Sequence, residues 1–215
     1  MSRLINMMII IFTVAAMSRS TPRKEQTHER IVEVAARAVR REGYAGVGVA
    51  DIMKEAGLTH GGFYAHFPSR DAMLVEAVER AGQDGAARLM QRMEQWREQG
   101  ASPLRALVET YLSEAHLGGC EGGCPVSSLV SEMPRQSPQL RESGAGRVRG
   151  LMNLVRRFLP ADARPGAATA VTSTLVGALQ LARALGDNAE GRAVLAEARQ
   201  ALLSRYEPEG ERAPH

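Results

Sequence analysis

Aromatic residues and cysteines are scarce in this sequence, and neither sign of charge dominates it. Phe, Trp and Tyr make up 4% of the 215 residues, which disfavours a β-rich fold because sheets draw on aromatic and β-branched side chains. The two cysteines, Cys120 and Cys124, are too few for a disulfide framework and fit a cytoplasmic protein. A net charge of +3 permits a nucleic-acid partner without requiring one.

A hydrophobic run long enough to cross a membrane is also lacking. The apolar stretch from Leu4 to Ala16 falls short of the roughly 20 residues that a spanning helix needs, and Asn6 and Thr13 interrupt it. The stretch has the proportions of the apolar part of a signal peptide. Because Met17 opens a polar, basic segment, we expect Met17 to be the initiator and no membrane to be a partner. An export signal or a membrane anchor is the alternative.

Hydrophobic periodicity predicts helices along the rest of the chain. The first helix is expected from Thr27 to Gly43. Its apolar face consists of residues spaced i, i+3, i+4, i+7 and i+8: Ile31, Val34, Ala35, Ala38 and Val39. Similar patterns predict helices over 49–56 and 59–66, from 70 onward, and over 89–100, 103–112, 126–133, 139–159, 167–185 and 189–206, with a glycine-rich loop at 118–125. No stretch alternates as a strand would, so the expected fold class is all-α.

The two short helices predicted on either side of Gly57 indicate a helix-turn-helix. Ile52, Met53 and Ala56 supply a small core for the first helix, and Gly57 suits a turn that requires a positive φ. The second helix of such a motif lies in the major groove of DNA and contacts bases near its N-terminal end. That end begins here at Thr59.

The sequence around this motif resembles a known family. Residues 56–74 read AGLTHGGFYAHFPSRDAML, which is similar to the signature of TetR/AcrR-family transcriptional regulators. Residues 31–36, IVEVAA, and 42–44, EGY, resemble the first helix of the same family. The resemblance covers about residues 24–75; the remainder is similar only in helical content and length. It implies a helix-turn-helix domain followed by a helical domain that binds a ligand and dimerises.

We therefore predict four segments. Residues 1–23 form an extension with a basic arm, which is disordered or arises from a misplaced start. Residues 24–70 form the helix-turn-helix DNA-binding domain, and residues 71–206 form the helical ligand-binding and dimerisation domain. Residues 207–215 form a disordered tail.

The resemblance implies contacts with a double-stranded DNA operator. Four residues would face bases and three would contact phosphates: Thr59, His60, Gly61 and Gly62 in the first set, and Tyr64, His66 and Arg70 in the second. Residues 48–50, Gly-Val-Ala, lack the Thr or Ser and the Arg often found there in the family. Phosphate binding should therefore depend more on Tyr64, His66 and Arg70.

The resemblance also implies a small-molecule inducer held among the C-terminal helices. Apolar side chains that could line its pocket, or could equally be ordinary core, are Met90, Met93, Trp96, Leu107, Tyr111, Leu151, Leu154 and Phe158. The last two helices resemble the family's dimer interface, so a homodimer is expected. No cofactor is expected, and the function expected is that of a repressor released from its operator by the inducer.

The segment from His116 to Pro125 leaves three interpretations open. Cys124 at a helix start could be a reactive thiol that Cys120 resolves as a disulfide, which would make the protein a repressor switched by oxidation or electrophiles. His116 and the two cysteines could instead hold a metal, although no fourth ligand is evident. The third interpretation is a pair of structural thiols. An enzyme is disfavoured because the sequence has no phosphate-binding loop and no nucleophile elbow.

Overall fold

The computed structural model describes residues 22–207. The expected initiator, most of the predicted N-terminal extension and almost all of the predicted tail lie outside the described residues. The chain from 22 to 207 contains helices and no strand, which confirms the all-α prediction.

The α-helices of this part are α1 (Arg23–Gly46), α2 (Val49–Glu55), α3 (Arg70–Glu98), α4 (Pro103–Tyr111), α5 (Glu114–Gly118), α6 (Pro125–Leu129), α7 (Pro138–Phe158), α8 (Ala167–Leu185) and α9 (Ala189–Tyr206). Short 3₁₀ helices lie at His60–Ala65, Cys120–Gly122 and Met133–Arg135. Polar side chains cap the N-termini of four α-helices by accepting backbone N–H groups: Ser69, Ser102, Ser113 and Asn188.

Helix α3 differs from the sequence-based prediction. The patterns predicted one helix from 70 and another over 89–100, but the structure has a single helix of 29 residues. Gly82 and Gly85 interrupt the apolar pattern without breaking the backbone, since a glycine inside a helix costs only about 1 kcal/mol relative to alanine. The helix ends before Gly100, whose φ of +84° suits the turn that follows.

Two hydrophobic cores share helix α3. The first lies among α1, α2, the 3₁₀ helix at His60–Ala65 and the N-terminal half of α3, where Ile31, Phe63 and Leu74 are buried. The second lies among α4, α7, α8 and α9, and Met93 from the C-terminal half of α3 enters it. Helix α3 therefore contributes buried residues to both cores.

A break in α1 joins the first core to the C-terminal part of the chain. Gly43 has φ +74° and ψ 177°, and the N–H of Tyr44 donates to Oε2 of Glu132 at 3.0 Å. The carboxylate of Glu132 occupies the space that a side chain at position 43 would need. Leu129 and Met133, on either side of Glu132, belong to the first core. The helix-turn-helix therefore rests on residues from beyond position 125.

Candidate nucleic-acid interface and cavity

Helix α2 and a tight turn hold the recognition segment in place. Ile52, Met53 and Ala56 are buried in the first core, as predicted. Gly57 adopts a φ of +69°, which confirms the expected positive φ, and the N–H of Leu58 donates to the carbonyl of Met53 at 2.8 Å. This turn sets the direction in which the chain leaves α2.

The recognition segment is a 3₁₀ helix over His60–Ala65, whereas the sequence predicted a helix over 59–66. The N–H of Gly62 donates to the carbonyl of Thr59 at 3.1 Å, which is the i to i+3 pattern of the tighter helix. A Cβ atom at Gly61 would meet no protein atom within 4 Å. The packing of the chain therefore does not explain glycine at position 61, whereas close approach of the backbone to a ligand would.

The predicted base-reading residues lie on the surface. Thr59, His60 and Gly61 are exposed, and Gly62 is half-buried. Phe63 is buried beneath them and anchors the segment to the first core. Because their side chains do not pack inside the protein, Thr59 and His60 are free to contact a DNA groove; that contact stays a prediction.

The three predicted phosphate ligands differ in their surroundings. Tyr64 is 71% exposed, so its hydroxyl can reach a phosphate. His66 is half-buried, and burial, aided by the nearby His28 and Lys24, lowers its pKa below the ordinary value. In the chain without DNA, these surroundings therefore favour the uncharged ring of His66.

Arg70 has a role that the sequence did not indicate. Its Nε donates to the carbonyl of Val47 at 2.9 Å, and its Nη2 donates to the carbonyl of Tyr44. The guanidinium is thereby turned toward the connection between α1 and α2 and stabilises it. A phosphate contact by the same group stays a prediction.

A cavity of about 550 Å³ lies between the middle of α3, the C-terminal half of α7 and the glycine-rich segment after α5. Of the eight predicted pocket residues, Tyr111, Leu151 and Leu154 border it. The other five do not border it: Met93 and Leu107 are buried in the second core, Phe158 packs against that core, and Met90 and Trp96 are exposed. Helical periodicity identified apolar faces but could not show which face turns toward the cavity.

The wall of the cavity is partly basic, which the sequence analysis missed. Four arginines border it: Arg88 and Arg92 from α3, and Arg147 and Arg157 from α7. No Asp or Glu is among its lining residues in the described chain. Arg88 and Arg92 are four apart on a helix, and this spacing was a signal that both lie on one face of α3 together with Gly85.

His116 fixes the segment that carries the cysteines. Its Nδ1 donates to the carbonyl of Tyr111 at 2.8 Å, and its Nε2 accepts the backbone N–H of Cys124 at 3.1 Å. Burial lowers the pKa of His116 to about 4, so the ring is neutral at pH 7. Both cysteines are free thiols, and Cys124 borders the cavity whereas Cys120 does not.

The metal interpretation of this segment finds no support in the described residues. Among residues 22–207, no group of three His, Cys, Asp or Glu side chains is placed to hold a metal ion. Both ring nitrogens of His116 already form hydrogen bonds to the backbone.

Among the described residues, no helix is long and apolar enough to span a bilayer.

Comparison with known proteins is consistent with this geometry. A family model described as "Bacterial regulatory proteins, tetR family" matches residues 31–77, and one described as "Tetracyclin repressor-like, C-terminal domain" matches residues 100–202. An uncharacterised HTH-type transcriptional regulator of Mycobacterium tuberculosis is 30% identical over 170 residues, which cover 74% of this chain and 85% of that protein. The HTH-type transcriptional regulator LmrA of Bacillus subtilis is 28% identical over 125 residues, 54% of this chain and 62% of that protein.

Solved structures have the same fold. A TetR transcriptional regulator from Chloroflexus aurantiacus superposes with a TM-score of 0.68 at 22% identity, covering 86% of this chain and 96% of that one. The reduced form of E. coli NemR gives a TM-score of 0.64 at 21% identity, covering 81% and 96% of the two chains. The helix-turn-helix and the matched relatives define a DNA-binding transcriptional regulator. The two family models and the mycobacterial relative show that this chain belongs to the TetR family.

Proposed function

We propose that this protein is a repressor that binds an operator as a homodimer and leaves it when a small ligand occupies the cavity. The observation that carries the proposal is an ion pair between the DNA-binding part and a residue next to the cavity wall. Arg41 on α1 lies 2.8 Å from the carboxylate of Glu121. Glu121 belongs to the 3₁₀ helix Cys120–Gly122, and Gly122 borders the cavity.

Other contacts strengthen this connection between the cavity and α1. The Nη1 of Arg40, which is buried, donates to the carbonyl of Ala81 at 3.1 Å, next to the cavity residue Gly82. Glu132 holds the N–H of Tyr44. A ligand that displaces α3 or the glycine-rich segment would therefore move α1, and with it the recognition segment. Such a ligand releases DNA only if it binds the two conformations with different affinities.

The operator can be tested with the DNA upstream of the protein's own gene. Footprinting and fluorescence anisotropy should show a protected, roughly palindromic site, with affinity falling steeply as salt concentration rises. Thr59→Ala should change which operator variants are preferred, because Thr59 is expected to face bases. If Thr59→Ala and His60→Ala leave that preference unchanged, the assignment of base contacts is wrong.

The surface of α8 supports the homodimer. Leu181 and Leu185 are 62% and 40% exposed, although the opposite side of the same helix is buried in the second core. A Cβ atom at Gly177 would meet nothing within 4 Å, so the helix surface there is open to a close approach. Two leucines exposed at i and i+4 next to an open glycine are typical of a face that a second copy covers.

The dimer can be tested by introducing a charge on this face. Leu181→Glu should give monomers in sedimentation velocity and lose affinity for a palindromic operator, because a buried, unpaired carboxylate opposes association. Met90→Glu is the matched control, since Met90 is an exposed apolar residue on α3, away from α8. A dimeric Leu181→Glu variant would show that the interface lies elsewhere.

A regulator of chromosomal genes with free thiols would work in the cytoplasm.

A thiol switch is the second candidate, favoured by the position of Cys124 on the cavity wall. An electrophile that enters the cavity would meet this thiol, which would add across an activated double bond to form a C–S bond, with the thiol proton passing to the adjacent carbon. Mass spectrometry after brief exposure to N-ethylmaleimide, with Cys120→Ser and Cys124→Ser for assignment, tests it. Labelling of Cys124 no faster than that of free cysteine would exclude the switch.

A further inference from the structure

Four arginines that border the cavity have no acidic partner in the described chain. Across residues 22–207, Arg88, Arg92, Arg147 and Arg157 take part in no ion pair and in no side-chain hydrogen bond. The contrast with other arginines of α7 is direct. Arg149, which does not border the cavity, pairs with Glu142 at 2.9 Å, and Arg156 donates to Asn153 at 3.0 Å. Arg141, near the start of the same helix and away from the cavity, also has no side-chain partner in the described chain, so the distinctive feature of the cavity is that four such arginines border one space.

Two of these arginines pack directly against glycines. A Cβ atom at Gly82 would lie 2.5 Å from Cδ of Arg147, and a Cβ at Gly122 would overlap the guanidinium of Arg88. Any larger residue at either position would displace the arginine beside it. The Nε of Arg147 is buried without a hydrogen-bond partner in the described part of the chain. A buried donor of this kind destabilises the free protein until an acceptor reaches it.

The rest of the wall is apolar. Leu89, Val126, Leu151 and Leu154 border the same cavity, whose volume of about 550 Å³ lies within the range of small-molecule sites. A simple inorganic anion would leave this apolar surface uncovered. Arginine, with its planar fork of donors, matches a carboxylate, sulfonate or phosphate group.

We propose, building on the ligand-released repressor described above, that the effector is an amphipathic organic anion. The arginines of α3 and α7 bind its acidic group, and the leucines cover its apolar body. An acidic group between the two helices would draw Arg88 and Arg92 toward Arg147 and Arg157. Because α3 also forms part of the first core, that movement gives the ligand a route to the recognition segment.

The proposal can be tested with two fluorescent probes of similar shape. The full-length protein is titrated with 8-anilinonaphthalene-1-sulfonate, which is anionic, and with N-phenyl-1-naphthylamine, which lacks the sulfonate. The variants are Arg92→Gln, at an exposed position where the fold should be unaffected, and Arg147→Gln. The matched controls are Arg97→Gln on α3 and Arg156→Gln on α7, since neither residue borders the cavity.

In Arg92→Gln and Arg147→Gln, we expect the affinity for the sulfonate to fall by up to about fivefold, the effect of one partly exposed charge pair. Affinity for the uncharged probe should change less than twofold, which also reports that the cavity is intact. The control variants should match the wild type for both probes. Equal effects on both probes, or no effect on either, would overturn the proposal.

Operator release, followed in the same samples by anisotropy of labelled DNA, separates this inference from the proposed function. If the sulfonate binds through the arginines but leaves operator affinity unchanged, the anion site stands and release by a cavity ligand fails. If the uncharged probe releases the operator and arginine variants bind the sulfonate as the wild type does, release stands and the anion site fails.

Discussion

The DNA-binding end and the cavity of this protein use glycine and charge in different ways. At the DNA-binding end, Gly57 shapes a turn over a closed core, and the residues expected to touch DNA stand outside that core. At the cavity, Gly82 and Gly122 make room for arginines that have no partner in the described chain. Both regions hold buried polar atoms without a partner in the described chain, at Tyr44 and His66 in the first and at Arg147 in the second, but the second also encloses a space of about 550 Å³. Truncating a side chain of the first core should therefore cost more stability than truncating one at the cavity wall.

The largest difference between the two regions should appear when their apolar residues are truncated. Phe67→Ala should lower the free energy of unfolding by about 3–5 kcal/mol, because Phe67 is fully buried in the first core and packs against Phe63. Leu154→Ala, at the cavity wall, should cost clearly less because space already exists beside it. Urea unfolding measures both. Equal losses would show that the cavity wall is packed as tightly as the first core.

Lowering the pH should destabilise the cavity side through His116. The folded pKa of about 4 lies below the ordinary value of 6.5, so the unfolded chain binds more protons between these values. Stability is fully present above pH 6.5 and falls as the pH drops toward 4, by about 3 kcal/mol for a shift of this size. His116→Gln should be less stable at pH 7 and less sensitive to pH. If urea unfolding gives the same pH slope for both proteins, another group is responsible.

At the DNA-binding end, removing one hydroxyl should have a moderate and uniform effect. Tyr64→Phe should weaken binding to all DNA sequences by about 1 kcal/mol, or roughly fivefold, because one phosphate hydrogen bond is lost. Tyr206→Phe on α9 is the matched control and should bind as the wild type does. Anisotropy titrations with operator and scrambled DNA make the measurement. A loss confined to the operator would mean that Tyr64 contacts bases.

The smallest effect should come from the ion pair that connects the two regions. Arg41 and Glu121 are both partly exposed, so a double-mutant cycle with Arg41→Gln and Glu121→Gln should give a coupling energy of about 1 kcal/mol or less in unfolding. A coupling of several kcal/mol would mean that the pair holds the fold together. Its contribution would then lie in stability and not in communication between the regions.

Local chemistry explains which features could be predicted from the sequence. The bounds of α8 and α9 match the predicted 167–185 and 189–206, because clear end signals stand at Gly186 and Asn188. The turn at Gly57 was predictable for the same local reason. The short helix predicted over 59–66 is present as a 3₁₀ helix over His60–Ala65, a geometry that the sequence does not distinguish from an α-helix because its glycines permit both.

The features that escaped prediction depend on contacts between distant parts of the chain. The cavity combines α3, α7 and the glycine-rich segment, so no single stretch shows which apolar residues line it. The bonds from Arg70 to Tyr44 and Val47 likewise join positions more than twenty residues apart, and resemblance to a family could not indicate them. Whether an arginine finds a partner depends on residues of other helices as well as its own, so the absence of partners around the cavity, within the described chain, became visible only in three dimensions.

The break in α1 at Gly43 limits how DNA-binding domains can be exchanged between such regulators. The predicted domain boundary at residue 70 does not separate the two ends physically, because Glu132 and its neighbours complete the first core. A chimera that grafts residues 22–70 onto an unrelated sensor would leave the N–H of Tyr44 without its acceptor and expose Ile31 and Phe63. Recombination between relatives should therefore yield working hybrids only where the incoming sensor brings its own equivalent of the 129–140 segment.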